Sequence, residues 1–503
     1  MASAAAGTET STPAPSRWRT LAPLAAAPLL LIALIAWAYS SPVGASPDDD
    51  FHLVSAWCSE PGPVDCEPGS SSETRVVPLA LLTASCFAFE SEESARCQGT
   101  SLTDEKEPTV ESDRGNFSGT YPPLFYAVNG LFASSNIEAS VLAMRTMNAI
   151  VFVALGTLIA CALAPARRGA LTMAWLVTSV PLTMFIIPSN NPSSWALAGV
   201  ALSWMAWWGY YESEGRRRVV LAVAASLASV MAAGARADAA AYVALGVACV
   251  TFIQWNKIGP RRLVALVPPA IVVAVCAAVT LTSGQASAVS GLGEAGSDAT
   301  GVALLAYNLL NLPRLWTGGF GSFGLGWLDT EMPPIVIWAA AAAFIGVAFV
   351  GLRALSRRSA VAAAVVAGAI AFIPLFVLQA GGDGVGANVQ PRYIWPLMTL
   401  FVGLLVARAD GTALNLGRLQ IILIGTGLAI ANAVALYVNM RRYLTGTDVQ
   451  QPSLDDHAEW WWHSAPAPNL VWVGGSIAFA LAVVLLLVDY RRAMAVRASS
   501  VGV

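Results

Sequence analysis

The stretch from Leu21 to Tyr39 reads LAPLAAAPLLLIALIAWAY, and it decides the fold of this chain. It contains no charged side chain, and about 20 apolar residues are enough to carry an α-helix across the hydrocarbon core of a membrane. More stretches of this kind follow. The predicted spans are 21–39, 141–164, 170–188, 192–211, 219–235, 239–255, 263–282, 335–352, 360–379, 393–408, 419–440 and 469–488. The sequence therefore predicts an all-α integral membrane protein with about 12 transmembrane helices.

The composition agrees with a membrane protein and excludes several other classes. Of the 503 residues, 56% are hydrophobic and only 12% are charged, whereas about 25% of the residues of a soluble domain are charged. This charge content is too low for a soluble enzyme, a disordered protein or a fibrous protein. The net charge of −3, without a basic domain, argues against nucleic-acid binding. Continuous apolar runs also argue against a β-barrel, whose strands alternate over about ten residues.

Basic residues predict the orientation, because cytoplasmic loops hold an excess of Lys and Arg. If the N-terminus is cytoplasmic, the short cytoplasmic loops and tails hold 18 of the 28 basic residues, and the longer outer loops hold the rest. Both termini are therefore predicted to be cytoplasmic. Lys106 and Lys257 are the only lysines of an Ala-rich chain that prefers Arg, which is typical of a high-GC bacterium. The predicted location is the bacterial plasma membrane.

The predicted organisation has four parts. Residues 1–20 form a cytoplasmic tail, and 21–440 form the transmembrane domain with a first outer loop at 40–140 and a flap loop at 283–334. Residues 441–468 form an outer aromatic and acidic loop, and 469–503 contain the last span and a cytoplasmic tail. The first span is predicted to be retained, with signal-peptide cleavage after Ala45 as the alternative. The cytoplasmic loops are too short for a nucleotide-binding domain and no P-loop motif is present, which argues against an ATP-driven pump or a nucleotide-sugar enzyme.

Four of the seven cysteines lie in the first outer loop. They are Cys58, Cys66, Cys86 and Cys97. On an oxidising face of the membrane they predict two disulfides, and proximity in sequence favours Cys58–Cys66 and Cys86–Cys97. A zinc site is the alternative, although no C-x-x-C pair is present.

The segment from Pro47 to His52 reads PDDDFH and follows the first span. Three adjacent carboxylates repel one another, which raises the pKa of at least one of them. Such a group can act as a general base, and His52 adds a titratable group beside it. Asp48 and Asp50 could instead hold a divalent cation such as Mg²⁺, Mn²⁺ or Ca²⁺. A solvated acidic turn is the alternative without function.

Two arginines at outer span ends are candidates for binding an anion. Arg236 lies in Arg-Ala-Asp between two spans, and Arg392 follows Gln-Pro at the mouth of another. An outer arginine at head-group level runs against the orientation trend, so each is a candidate phosphate ligand. The alternatives are an ion pair with Asp238 in a tight turn, and attraction to lipid head groups.

Aromatic residues add candidates for sugar binding. Trp327 could stack on a sugar ring and Asp329 could accept its hydroxyl groups, next to a glycine-rich stretch able to act as a lid. A re-entrant loop is the alternative. Thr120 to Tyr126 suits an interfacial helix. Residues 455–463 suit an interfacial aromatic belt, with a platform for a sugar acceptor as the alternative.

The order of these motifs resembles an uncharacterised family of bacterial multi-pass membrane proteins related to the GT-C glycosyltransferases. The matching residues are Pro47, Asp48, Asp49 and His52; Tyr121 to Tyr126; Gly326 to Thr330 with Pro333; and Arg392, Tyr393 and Pro396. The chain departs from the family pattern at Asp49, where Glu is more frequent, and at Gln390-Pro391, where a Gly is usual.

The resemblance implies a GT-C-like fold that takes a sugar from a polyprenyl-phosphate donor at the outer face of the membrane. The acceptor would be an envelope glycan or a lipid, and Asp49 or Asp48 would be the catalytic base. By the same resemblance, Arg392 and Arg236 would stabilise the departing phosphate. The pocket for sugar and acceptor would be shaped by Tyr121, Trp327, Asp329 and Tyr393. A divalent cation is permitted and not required.

Two other functions fit the sequence. A transporter or flippase of a lipid-linked glycan often has twelve spans, but it usually shows internal repeats, and none is evident here. A non-catalytic scaffold for envelope assembly would have no use for the acidic triplet. Long, charged loops on one side favour the enzyme.

Overall fold

The structure is a computed structural model that describes residues 18–99, 102, 108–258, 262–285, 299–353, 355–387, 389–412 and 414–498. The predicted N-terminal tail up to residue 17 and residues 286–298 of the predicted flap loop lie outside the described residues. The helices are α1 (Trp18–Tyr39), α2 (Asp49–Trp57), α3 (Leu79–Thr83), α4 (Leu124–Gly130), α5 (Ile137–Ala162), α6 (Pro165–Leu176), α7 (Leu182–Ile186), α8 (Ser193–Glu212), α9 (Gly215–Ala235), α10 (Ala237–Gln254), α11 (Arg262–Thr282), α12 (Gly301–Thr317), α13 (Pro334–Leu352), α14 (Arg357–Gly381), α15 (Pro391–Val406), α16 (Arg418–Leu444) and α17 (Pro468–Ala498). There are also two short strands, β1 (Arg75–Pro78) and β2 (Thr109–Ser112), two 3₁₀ turns at Ala95–Gln98 and Asn116–Ser118, and a π-helical turn at Gly318–Ser322.

Within the described ranges, nine helices are long and apolar enough to cross a membrane. They are α1, α5, α9, α10, α11, α13, α14, α16 and α17. Each coincides with one of the predicted spans, which confirms an all-α protein with multiple membrane helices. The total of 12 spans stays a prediction.

The three other predicted spans lie in the interior of the helical bundle. Every residue of α8 from Ser193 to Tyr210 is buried, and most of the 16-residue α15 is buried too. The prediction for 170–188 becomes two shorter helices, α6 and α7, with a break before Pro181, whose ring nitrogen has no N–H to continue a helix. Side chains form hydrogen bonds with backbone carbonyls at this break. For example, the Thr178 hydroxyl donates to Ala174 O at 2.8 Å. Such a break is tolerated at membrane depth because protein surrounds it.

The described residues of 40–136, here called the loop domain, pack against Met144 of α5 and Tyr443 of α16. Its core is formed by Leu53, Val54 and Trp57 of α2 together with Val77 and Phe87. Strands β1 and β2 pair antiparallel. Both predicted disulfides are present, Cys58–Cys66 and Cys86–Cys97. They cross-link a domain that has little regular structure.

Candidate functional site

The acidic triplet lies where the chain leaves α1 and enters α2. Asp48 caps α2 in the left-handed backbone region, with φ at 59°, and its carbonyl accepts from the backbone N–H of His52 at 2.9 Å. This conformation is uncommon for residues with a side chain, although Asp adopts it more readily than most, and strained residues cluster at functional sites. The conformation sends three neighbouring carboxylates in three directions. Asp48 is partly exposed beside Arg392, Asp49 is buried, and Asp50 pairs with Arg114 at 2.6 Å.

Asp48 binds Arg392, which lies in the first turn of α15, far away in sequence. Its Oδ2 lies 2.7 Å from Nη2 of Arg392, and the same Nη2 donates to the Tyr393 hydroxyl at 3.0 Å. The Asp48 side chain is 44% exposed, whereas that of Arg392 is only 3% exposed. Burial alone would raise the pKa of Asp48, but the positive charges of Arg392 and Arg114 hold it below its ordinary value. Asp48 is therefore an accessible carboxylate that stays ionised.

The guanidinium of Arg392 has unused hydrogen-bonding capacity. Its Nε and Nη1 are buried and donate to no protein acceptor among the described residues. A buried donor without an acceptor loses the hydration energy of that group, so it is uncommon unless a ligand or water completes it. These two groups lie on different edges of the guanidinium plane, so each can donate separately to an oxygen of a phosphate or carboxylate. The geometry therefore leaves Arg392 ready to bind an anion.

Asp49 occupies a different environment from Asp48. It is completely buried, and its Oδ2 accepts from the backbone N–H of Ser46 at 3.1 Å. Burial raises the pKa of Asp49 to about 7, against the lowering effect of Arg145 and of that hydrogen bond. A buried carboxyl cannot reach an acceptor in this conformation, so Asp49 shapes the loop rather than facing the cleft.

Aromatic rings form one wall of the cluster. The ring of Tyr393 has two arginine neighbours, with guanidinium carbons 4.9 Å (Arg392) and 4.5 Å (Arg236) from its centroid. Arg236 also approaches the Tyr121 ring, at 5.7 Å. The charge of Arg236 is already neutralised, because both carboxylate oxygens of Asp238 accept hydrogen bonds from it, at 2.9 and 3.0 Å. The ion pair considered in the sequence analysis is thus present.

His52 lies among these rings and is buried. Its Nδ1 lies 2.9 Å from the hydroxyl of Tyr126, and the two rings stack. Burial lowers the pKa of His52 to about 3, although Asp48 acts in the opposite direction. Burial also raises the pKa of Tyr121 to about 12. His52 and Tyr121 are therefore uncharged at neutral pH, and their contribution is shape and hydrogen bonding.

The glycine turn, Gly318 to Gly326, closes the cleft above Arg392. Gly319 lies directly on the indole ring of Trp395, where an added Cβ would come within 1.9 Å of a ring carbon. Pro47 and Arg392 line the opposite side of the cleft. The enclosed space is about 10 Å³, which is room for roughly one water molecule. Gly321 and Gly324 of the glycine turn lie at positive φ, a backbone conformation that glycine adopts without strain.

Trp327 and Asp329 lie beside this cluster and not inside it. The Trp327 indole N–H donates to Gly44 O at 2.8 Å. Asp329 forms an ion pair with Arg442 at 2.8 Å, and its side chain is only 6% exposed. The carboxylate that the sequence offered for sugar hydroxyls is thus already occupied by a buried arginine.

The prediction of a divalent cation receives no support from the geometry. Asp48 and Asp50 point to separate arginines, Arg392 and Arg114. Across the part of the chain that the structure describes, no three His, Cys, Asp or Glu side chains come close enough to hold a metal ion. Metal binding at this site stays a prediction.

The residues that hold the acid-bearing loop in place were not predicted from the sequence. Arg145 of α5 is buried inside a span and donates to the carbonyls of Ala38, Ser41 and Pro42 at 2.5 to 2.9 Å. Asn191 donates to Pro47 O at 2.8 Å. The sequence feature that could have identified Arg145 is an arginine within an otherwise apolar span. A charged side chain inside the membrane is costly, so it is usually functional.

Comparison with known proteins agrees with the fold. Residues 31–401 match the family described as Predicted membrane protein (DUF2142), and this range includes Asp48, Arg236 and Arg392. No curated protein matches the chain. The matched range covers more than half of the sequence, and its helices account for most of the spans. The chain is therefore a membrane protein of the DUF2142 family.

Proposed function

We propose that this protein is a membrane glycosyltransferase that moves a sugar from a polyprenyl-phosphate donor to an envelope glycan or lipid acceptor on the outer face of the membrane. The observation that carries the proposal is the Asp48–Arg392 pair, in which an accessible carboxylate touches a buried guanidinium with two unused N–H groups. A carboxylate beside an anion-binding arginine is the combination that this reaction requires. One group takes the proton of the acceptor hydroxyl, and the other receives the phosphate that leaves.

In the proposed reaction, the acceptor hydroxyl loses its proton to Asp48. Its oxygen forms a bond to the anomeric carbon of the sugar as the bond from that carbon to the phosphate oxygen breaks. The electron pair leaves with the lipid phosphate, whose charge grows from about −1 to −2. Nε and Nη1 of Arg392 are placed to stabilise that growing charge, which is the form of catalysis that lowers a barrier most.

The proposal assigns distinct roles to Asp48, Asp49 and Arg236. Asp48 is the base, because it is exposed and ionised. Asp49 holds the loop from beneath through the Ser46 backbone. Arg236, already neutralised by Asp238, supports Tyr393 and Tyr121 at the side of the pocket and is a weaker candidate for phosphate binding than Arg392.

The test measures transfer from a panel of radiolabelled polyprenyl-phosphate sugars in membranes that contain wild-type protein or a variant. Asp48→Asn should reduce the rate by about 10² to 10⁴, the usual contribution of a general base. Asparagine tolerates positive φ better than most residues, so this variant keeps the fold. Asp50→Asn is the matched control, an adjacent acid paired elsewhere, and should leave the rate near that of wild type.

Three outcomes count against the proposal. Full activity in Asp48→Asn would remove Asp48 as the base, and full activity in Arg392→Gln would remove the phosphate site. Movement of a labelled lipid-linked glycan across liposomes that contain the protein, without any transfer, would replace the enzyme with a flippase. Because the pKa of Asp48 lies below its ordinary value of 3.8, transfer should not fall through protonation of this residue between pH 5 and 8.

A further inference from the structure

Phe89 is a large aromatic side chain that the loop domain holds out into its surroundings. It is 70% exposed, and its backbone lies in the left-handed region with φ at 67°. Burial does not explain this position, and the strained backbone costs energy. A residue that is both strained and exposed suggests a contact that the isolated chain does not show.

A buried ion pair holds Phe89 in place. Its backbone N–H donates to Oδ2 of Asp329 at 3.2 Å, and the same oxygen accepts from Arg442 at 2.8 Å. Arg442 also donates to the carbonyls of Phe87 and Glu93, on either side of Phe89. One fully buried arginine thus ties together the two chain segments that meet at this point. The Cys86–Cys97 disulfide closes the loop that contains Phe89.

The ring of Phe89 meets that of Trp327 to form an aromatic platform. Their centroids lie 5.3 Å apart with an angle of 65° between the planes. Trp327 is fixed by its hydrogen bond to Gly44, four positions before Asp48. Leu328, next to Trp327, lines the cleft that also contains Arg392. The platform is therefore linked to the candidate site along the chain, through the acid-bearing loop and the glycine turn.

We propose that the Phe89–Trp327 platform binds a sugar ring of the acceptor, which must be a neutral oligosaccharide or carry one. The C–H face of a sugar ring is apolar and packs on the electron-rich face of an aromatic ring. The exposed neighbours Glu90, Glu92 and Glu93 can accept hydroxyl hydrogens and would repel an acidic glycan. This inference rests on the proposed function, since it names the chemical class of the acceptor. It also changes the predicted role of Asp329, which positions Phe89 and does not touch the sugar.

Binding is tested with soluble neutral pentose and hexose oligosaccharides by saturation-transfer NMR on the full-length protein in nanodiscs. A matched uronic-acid oligosaccharide is the probe for charge selectivity. Phe89→Ala and Phe89→Gly should each weaken binding of the neutral oligosaccharide by at least about ten-fold, a typical loss when an aromatic anchor is truncated. Phe132→Ala, at another exposed phenylalanine of the loop domain, is the control and should bind as wild type does.

The glycine variant separates binding from folding. Glycine relieves the positive φ at position 89 and removes little buried surface, so Phe89→Gly should keep the thermal midpoint of wild type while binding is lost. Undiminished oligosaccharide binding by both variants would overturn the inference. So would preference for the acidic oligosaccharide, or a loss of affinity for lipid vesicles as the only effect of Phe89→Gly.

Failure of the proposed function has a different signature. Oligosaccharide binding needs no donor, and Asp48→Asn should retain it. If wild type bound the neutral oligosaccharide and transferred sugar from no donor, the glycosyltransferase would be refuted and the platform would stand.

Discussion

The two buried titratable groups of the acidic segment should have opposite effects on stability as pH changes. The pKa of Asp49 is raised from 3.8 to about 7, and that of His52 is lowered from 6.5 to about 3, in both cases chiefly by burial. Between pH 3.8 and 7 the folded state holds the Asp49 proton that the unfolded state releases, so this residue makes stability fall as pH rises. Between pH 3 and 6.5 the unfolded state binds a proton that folded His52 refuses, so this residue makes stability rise. The two effects on the pH dependence of the unfolding free energy cancel between about pH 4 and 6.5.

Asp49→Asn removes one of these effects. At 1.36 kcal/mol per pH unit, the difference between 3.8 and about 7 corresponds to about 4 kcal/mol. The variant should therefore match wild type near pH 4 and exceed its stability by up to about 4 kcal/mol at pH 8. His52→Gln should do the reverse: matching wild type above pH 7 and exceeding it near pH 3.

The measurement is the free energy of unfolding in mixed micelles, from pH 4 to 8, for wild type and both variants. Asp50→Asn is the control, because this neighbouring carboxylate pairs with Arg114 and its removal tests whether the effect is specific to Asp49. A difference between Asp49→Asn and wild type that stays within about 1 kcal/mol over the whole range would refute the reasoning, since it would mean that Asp49 is ionised at no cost in the folded protein.

Two further substitutions test the packing around the site. Gly319→Ala should destabilise the protein by about 1–3 kcal/mol in the same unfolding assay, because its Cβ would overlap the Trp395 ring and force the glycine turn away from α15; an unchanged midpoint would contradict that contact. Asp329→Asn should cost about 3–5 kcal/mol, the usual loss when one partner of a buried ion pair is removed. Adding Arg442→Met to it should recover part of that loss, and strictly additive effects would show that the two side chains are not coupled.

Hydropathy predicted the membrane helices that face lipid and was least informative about those inside the bundle. The span predicted at 192–211 forms α8, a buried helix of 20 residues that contains four tryptophans and several serines. A helix surrounded by protein need not be uniformly apolar, because its polar groups bind neighbouring helices. The Trp195 indole, for example, donates to Asn148 at 2.8 Å. The surrounding protein also permits the break at Pro181. A search for continuous apolar runs predicts a single span across this break.

The candidate site was predictable as a set of residues and not as a set of roles. Short motifs around Asp48, Arg236 and Arg392 were recognisable from residue type and position, and the structure brings them together around Tyr393. Sequence could not separate Asp48 from Asp49. The difference depends on a single left-handed residue at the start of α2, which leaves one carboxylate exposed beside Arg392 and buries the next.

The strongest structural constraint on the site comes from buried arginines that bind backbone carbonyls. Arg145 binds three carbonyls at the end of α1, and Arg442 binds two carbonyls around Phe89. A buried ion pair contributes little net stability compared with apolar packing, whereas it fixes geometry because any other arrangement strands a charge. Arg392 has two donors, Nε and Nη1, without an acceptor in the described part of the chain, and Arg441 has the same two. Of these two arginines, Arg392 contacts the accessible carboxylate of Asp48, so it is the one that the proposed reaction uses.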